Sequence, residues 1–179
     1  MQNRQTLYTA NSLCALVVCG ILLGAFYFQF FLNEDPCPLC LLQRMGMLGV
    51  LFGLACNTWF GFRNEHIALV LIAALVGVTF SIRQVLLHVC PAPGEPTGYG
   101  TPVMGMHLYT WGVLIFGATV LFAAVFLLLV RPEAADARRA PAAFEKSVSL
   151  LAVGLCLANV VATLFECGLG PCCENGPCP

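Results

Sequence analysis

Apolar residues in this chain form five long runs, which are separated by short polar segments or segments rich in Pro and Gly. About 20 consecutive apolar residues are enough for a helix to cross the hydrocarbon core of a bilayer. The first run is too long for a signal-peptide core and no small-residue cleavage site follows it, so we expect it to be a membrane helix. The predicted spans are residues 7–32, 41–62, 67–89, 105–130 and 147–165.

Composition supports a membrane protein. Hydrophobic residues make up 59% of the 179-residue chain and charged residues 9%, whereas soluble domains carry about 25% charged residues. No basic patch or arm suggests nucleic-acid binding. We therefore predict an all-α membrane protein. Its parts are a four-helix domain, a charged loop, a fifth span and a cysteine-rich tail, at residues 1–130, 131–146, 147–165 and 166–179.

The charged residues predict an orientation, because loops on the cytoplasmic side of a membrane are enriched in Lys and Arg. With a cytoplasmic N-terminus, that side carries Arg4, Arg63, Arg131, Arg138, Arg139 and Lys146. The loops on the opposite side carry acidic residues only, namely Glu34, Asp35, Glu95, Glu166 and Glu174.

A polar break between the first two spans carries two thiols, Cys37 and Cys40. Pro36 and Pro38 cannot continue a preceding helix but are tolerated where a new one starts. A helix N-terminus favours a thiolate, and Arg44 adds a cation on the same face as Cys40. This pattern is typical of a redox pair. The alternatives are two structural thiols or half of a zinc site, which would need two more ligands.

Two arginines are predicted to lie inside spans near the non-cytoplasmic side, Arg44 in the second span and Arg83 in the third. A long side chain near a helix end can extend its charge to the headgroups, which is one interpretation. The other is that both approach one pocket for a lipid-soluble quinone. Reduction places negative charge on the quinone oxygens, and arginine donors stabilise such charge.

The sequence Pro36-Cys37-Pro38-Leu39-Cys40-Leu41-Leu42-Gln43-Arg44 resembles the disulfide bond formation protein B (DsbB) family of membrane thiol–quinone oxidoreductases. Arg83-Gln84, near the outer end of the third span, extends the resemblance, which covers the first four spans. It implies a four-helix bundle in the bacterial inner membrane, with the CxxC motif on the periplasmic side. It also implies ubiquinone or menaquinone bound near Arg44, and we add Gln43 and Arg83 as candidate quinone-binding residues.

The resemblance further implies a path for electrons. Cys40 would pass them to the quinone, and Cys37 would exchange with a second cysteine pair. That second pair would oxidise a periplasmic thioredoxin-fold protein of the DsbA type, which would support protein disulfide bond formation.

The chain departs from the family pattern in its other cysteines. The loop between the third and fourth spans, where members carry the second pair, has only Cys90. A fifth span leads to a tail with four more cysteines, which we include as candidate catalytic residues: Cys167, Cys172, Cys173 and Cys178. Four others, expected to be small buried residues, lie inside the spans: Cys14, Cys19, Cys56 and Cys156.

Adjacent cysteines have Cα atoms about 3.8 Å apart, too close for an unstrained disulfide, so Cys172 and Cys173 are predicted to have different partners. One arrangement is static, with Cys167–Cys172 and Cys173–Cys178 bonds and a free Cys90. The other is a relay, in which Cys90 bonds a tail cysteine and exchanges with Cys37. We favour the relay, because Cys90 occupies the loop where the family keeps its exchanging pair.

Three other functions fit parts of the sequence. A membrane protein that handles a soft metal such as Cu(I) or Zn would use the tail and Cys90. A structural subunit would use tail disulfides only to fasten the ends of its spans. A relative of vitamin K epoxide reductase would also use CxxC and a quinone, but its motif lies late in the chain.

Overall fold

The computed structural model describes residues 2–91, 98, 100–129, 140–169, 172–173 and 176–177, with only the backbone at 2–4, 129, 172–173 and 176–177. Within these residues, five helices are long and apolar enough to cross a membrane. Their bounds are α1 Gln2–Phe31, α2 Pro38–Phe60, α3 Asn64–Val89, α4 Leu108–Leu129 and α5 Ala143–Cys167. This confirms the predicted all-α membrane fold and its fifth helix.

Two helix starts differ from the sequence-based bounds for local reasons. Helix α5 begins at Ala143, inside the predicted loop, because the Glu145 side chain accepts a hydrogen bond from the Ala142 backbone N–H at 2.9 Å. Helix α4 begins only at Leu108, because Gly105 has a φ of +80° in a turn that precedes the helix. Two-residue strands follow α5, β1 (Cys172–Cys173) and β2 (Gly176–Pro177), and they pair antiparallel.

Helix α2 is central to the bundle, packing against α1, α3 and α5, while α4 packs along α3. Glycines let α2 and α3 approach closely: a Cβ on Gly46 would lie 3.0 Å from the Gly77 Cα. The ring of Phe116, from α4, is 1% exposed and lies directly over Gly77. Small residues at such contacts let helix backbones pack tightly in a bilayer, where association depends on close packing.

A buried amide cluster joins α1 and α2 at the end of the bundle away from the cysteines. The Asn11 side-chain amide donates to the Leu54 carbonyl at 2.9 Å and to the Thr58 hydroxyl at 3.1 Å. Asn57, which is fully buried, donates to the Asn11 side-chain carbonyl at 3.2 Å. Interhelical hydrogen bonds of this kind hold membrane helices together.

Candidate functional site

The site begins at the N-terminus of α2, where Cys37 is the N-cap in an extended conformation. Its Sγ accepts a hydrogen bond from the Cys40 backbone N–H at 3.1 Å. The two cysteines form a disulfide with a Cα–Cα distance of 5.0 Å. The predicted position of the CxxC motif at a helix start is therefore confirmed.

A buried glutamine from α3 contacts both sulfurs. Gln84 Nε2 donates to Cys37 Sγ at 3.1 Å and to Cys40 Sγ at 3.5 Å. Gln43 Nε2 in turn donates to Gln84 Oε1 at 2.6 Å, which fixes the orientation of the Gln84 amide. Donors directed at a sulfur stabilise its anionic form, so this arrangement favours a thiolate once the disulfide is reduced.

Arg44 is held inside the bundle by α1, with 7% of its surface exposed. Its Nη1 donates to Gln29 Oε1 at 2.6 Å and its Nη2 donates to the Ala25 carbonyl at 3.1 Å. The guanidinium carbon lies 5.2 Å from the centre of the Phe26 ring, within the range of a cation–π contact. Arg44 thus bonds to a neighbouring helix, whereas an arginine extended to the headgroups would be exposed.

A cavity of about 370 Å³ lies between α1, α2 and α4. Its walls are mostly apolar, and they include Phe28, Trp111 and Tyr109. Cavities of about 300–1,000 Å³ that combine apolar walls with a few placed polar groups are usual for small-molecule sites. Here the polar groups include Gln43 and Arg44, and of the two bonded cysteines it is Cys40 that lines the cavity.

Residues 100–104, which precede α4, form one side of this cavity and are held there by hydrogen bonds. Glu34 accepts hydrogen bonds from the backbone N–H and the hydroxyl of Thr101. The Trp111 indole N–H donates to the Val103 carbonyl at 3.1 Å. Since Glu34, Val103 and Trp111 all line the cavity, these hydrogen bonds hold that part of the cavity wall in place.

The other predicted quinone-binding residues have different positions. Gln43 is buried and lines the cavity, as expected of such a residue. Arg83 is exposed on the outside of α3, and the cavity-lining residues do not include it among those that the structure describes. Its neighbour Gln84 faces the cysteines instead, so a role for Arg83 stays a prediction.

The remaining cysteines differ in state and exposure. Cys90 is a free, exposed thiol, and Cys167 is buried and disulfide-bonded to a partner outside the described side chains. Cys172 and Cys173 are described by their backbone alone, and Cys178 lies outside the described residues. Both proposed arrangements of the tail therefore stay predictions. The expectation of burial within spans holds for Cys19 but is wrong for two others that are exposed on the bundle surface, Cys14 and Cys156.

A family model described as "Disulfide bond formation protein DsbB" matches residues 8–97, which include the disulfide and Arg44. The chain belongs to the DsbB family. The match covers α1 to α3 and ends before α4, so α4, α5 and the tail lie beyond the part of the chain that this DsbB model describes.

Individual proteins that carry the name "Disulfide bond formation protein B" are also similar to the chain. The protein from Marinobacter nauticus is 40% identical over 87 residues, which is 45% of this chain and 51% of that protein. The protein from Chromobacterium violaceum is 35% identical over 117 residues, 63% of this chain and 68% of that protein. The matched region thus spans about half to two thirds of these DsbB relatives. No solved structure gives a significant match.

Sequence reasoning missed three residues that the structure brings to the site. Gln29 and Glu166 are connected to Arg44 by hydrogen bonds, and Tyr109 lines the cavity while bonding His88 Nδ1 at 2.6 Å. The sequence indicated Gln29 only as a polar residue inside an apolar run. Within the described residues, no group of three or more His, Cys, Asp or Glu side chains is placed to hold a metal ion.

Proposed function

We propose that this DsbB-family protein oxidises the dithiol of a soluble thioredoxin-fold protein and reduces a membrane quinone. The observation that carries the proposal is the Cys37–Cys40 disulfide beside an apolar cavity that Arg44 also lines. In the overall reaction, one dithiol and one quinone give one disulfide and one quinol. Two electrons and two protons leave the thiols and are taken up by the quinone.

The chain's own residues divide this work between two sulfurs. Cys40 lines the cavity, so it is the sulfur nearest a bound quinone. Cys37 exchanges with the second cysteine pair, which oxidises the incoming dithiol. Gln84 and the helix N-terminus stabilise negative charge on the sulfurs while the disulfide is open. Cys37 is only 6% exposed, so its exchange requires a rearrangement that uncovers its sulfur.

The cavity suits a quinone head group, either ubiquinone or menaquinone. Its apolar walls match a planar ring, and three of the helices that could span a membrane contribute to those walls, which suits a lipid-soluble substrate. Arg44 has five N–H donors, of which hydrogen bonds to described residues use two. Further donors are thus available for a ring oxygen, and a bound quinone would supply the two-electron acceptor.

Quinone reduction by the purified protein tests the proposal directly. A reduced thioredoxin-fold protein is the electron donor, a short-chain ubiquinone or menaquinone is the acceptor, and quinol formation is followed by absorbance. Turnover that needs both reagents supports the function. If protein that retains its disulfide reduces neither ubiquinone nor menaquinone, the proposed function is refuted.

We also propose that the N-terminus is cytoplasmic and that the cysteine site and tail are periplasmic, in the bacterial inner membrane. A membrane-impermeant maleimide added to reduced intact cells should then label the tail cysteines. The cytoplasmic membrane is opened in a parallel sample as the control. Labelling that appears only in the opened sample would invert the orientation and remove the tail from the oxidising compartment.

The relay through Cys90 predicts a specific defect. Cys90→Ser should lower oxidation of the soluble donor about 100-fold or more, because the exchanging thiol is lost. Oxidation of dithiothreitol should be nearly unchanged, since a small dithiol does not need the relay. Cys14→Ser is the matched control, being another free and exposed cysteine. Full oxidation of the soluble donor by Cys90→Ser would favour the static tail arrangement.

A further inference from the structure

Three side chains from three helices form a hydrogen-bonded chain beside the cavity. Arg44 of α2 donates to Gln29 Oε1 of α1 at 2.6 Å, and Gln29 Nε2 donates to Glu166 Oε1 of α5 at 2.9 Å. Gln29 is 5% exposed and Arg44 is 7% exposed. The last turn of α5 is therefore connected to the cation at the cavity by two consecutive hydrogen bonds.

The chemistry of the three groups allows only one donor-to-acceptor order for these hydrogen bonds. A guanidinium only donates hydrogen bonds and a carboxylate only accepts them, so the Gln29 amide must point its oxygen at Arg44 and its NH₂ at Glu166. The amide then links a cation to an anion with its own dipole aligned between them. Hydrogen bonds to charged groups are stronger than neutral ones, so both ends of Gln29 are firmly held.

The hydrogen bonds from Arg44 through Gln29 to Glu166 also explain how a buried cation is tolerated in α2. Charged side chains inside a membrane protein face the bundle interior and pair with partners, because an unpaired charge is costly there. Glu166 supplies the opposite charge for Arg44, with Gln29 between them. The guanidinium consequently has a defined place on the cavity wall, set partly from α5.

We propose that Glu166 is a positioning residue for the quinone site: acting through Gln29, it sets where Arg44 presents its donors to the substrate. This inference rests on the proposed thiol–quinone function and extends it to α5. The fifth helix is thus part of the quinone site as well as the support of the cysteine tail. Glu166 does not need to touch the quinone to have this effect.

Glu166→Gln removes the charge but keeps an oxygen that can accept from Gln29. We expect the apparent KM for a short-chain ubiquinone to rise about five-fold, with kcat changed less than about two-fold, because binding by Arg44 is affected more than chemistry at the sulfurs. Glu65→Gln is the matched control. Glu65 is exposed at the opposite end of the bundle, and its loss should leave both constants unchanged.

Two further variants separate positioning from a merely structural role. In an Arg44→Ala background, Glu166→Gln should change kcat/KM for quinone by less than about two-fold, since interacting residues give non-additive effects. Glu166→Asp keeps the charge on a shorter side chain and should raise KM about four-fold, because the carboxylate no longer reaches Gln29 at hydrogen-bond distance. Thermal unfolding in detergent shows whether Glu166→Gln folds. If it does not fold, the KM of Glu166→Asp decides whether Glu166 has the positioning role.

The outcomes distinguish this inference from the function on which it rests. An inactive wild-type protein would overturn both. An active wild-type protein with an unchanged quinone KM in Glu166→Gln, or in Glu166→Asp where that variant decides, would overturn the positioning role alone. An equal loss in the presence and absence of Arg44 would also overturn it, because Glu166 would then act independently of the guanidinium.

Discussion

Replacement of Cys40 by serine is expected to abolish quinone reduction, lowering turnover by roughly 1,000-fold or more. Cys40 is the bonded cysteine that lines the cavity, so under the proposed function its sulfur is the one beside the quinone. A serine hydroxyl cannot form the disulfide that the proposed reaction opens and re-forms in each cycle. Quinol formation with a reduced thioredoxin-fold donor measures the loss.

The control for this prediction is Cys56→Ser, which changes a free, half-buried cysteine toward the other end of α2. Turnover by that variant should match the wild-type protein. Cys37→Ser should be as inactive as Cys40→Ser, but it leaves a single thiol at the cavity. Substantial quinone reduction by either variant of the pair would show that electrons reach the quinone without this disulfide.

Arg44→Ala is expected to lower kcat/KM for quinone about 100-fold, which is about 2.7 kcal/mol. The substitution removes the cationic donor from the cavity wall and leaves Gln29 Oε1 without its donor. Arg44→Lys keeps a charge but loses the planar fork of donors, so we expect a smaller loss of about ten-fold, seen mainly in KM. Steady-state kinetics at varied quinone concentration measure both effects.

Arg63→Ala provides the comparison for Arg44→Ala, because Arg63 is an exposed arginine at the opposite end of the bundle. Its kcat/KM should stay at the wild-type value. A thermal unfolding curve for each variant separates lost binding from lost structure. Wild-type kcat/KM in a folded Arg44→Ala protein would contradict the role of Arg44 in the quinone site.

Much of the fold was predictable because the bilayer imposes a simple rule on sequence. Each span had to be a long apolar helix, and the positions of Pro36 and Pro38 indicated where α2 starts. The four-residue spacing from Cys40 to Arg44 also placed both on one face of α2. These features depend on local sequence alone, which explains why they could be read without a structure.

Contacts between helices were not predictable in the same way. Arg83 and Gln84 are adjacent and both polar, yet successive helical residues point about 100° apart, so only one of them can face the cysteines. The rotation of α3 decides between them, and packing of Gly77 against α2 and Phe116 sets that rotation. The sequence suggested Arg83 as a quinone-binding residue, which stays a prediction, and it did not indicate that Gln84 contacts the sulfurs.

The link from Glu166 to Arg44 illustrates the same limit over a longer distance. More than a hundred residues separate the two in sequence, and the sequence indicated Glu166 only as one of the acidic residues on the predicted non-cytoplasmic side. Its contact with Gln29 depends on α5 packing beside α1. No local pattern contains that information.

The amide cluster of Asn11, Asn57 and Thr58 fixes the position of α1 along α2. Apolar surfaces of two membrane helices can slide past one another with little loss, because lipid chains are as apolar as the helices. A slip of one turn, about 5.4 Å, would break the hydrogen bonds of Asn11 to α2. The same slip would carry Gln29 past Arg44, so side chains about 25 Å from Cys40 determine which partners meet beside the cysteines.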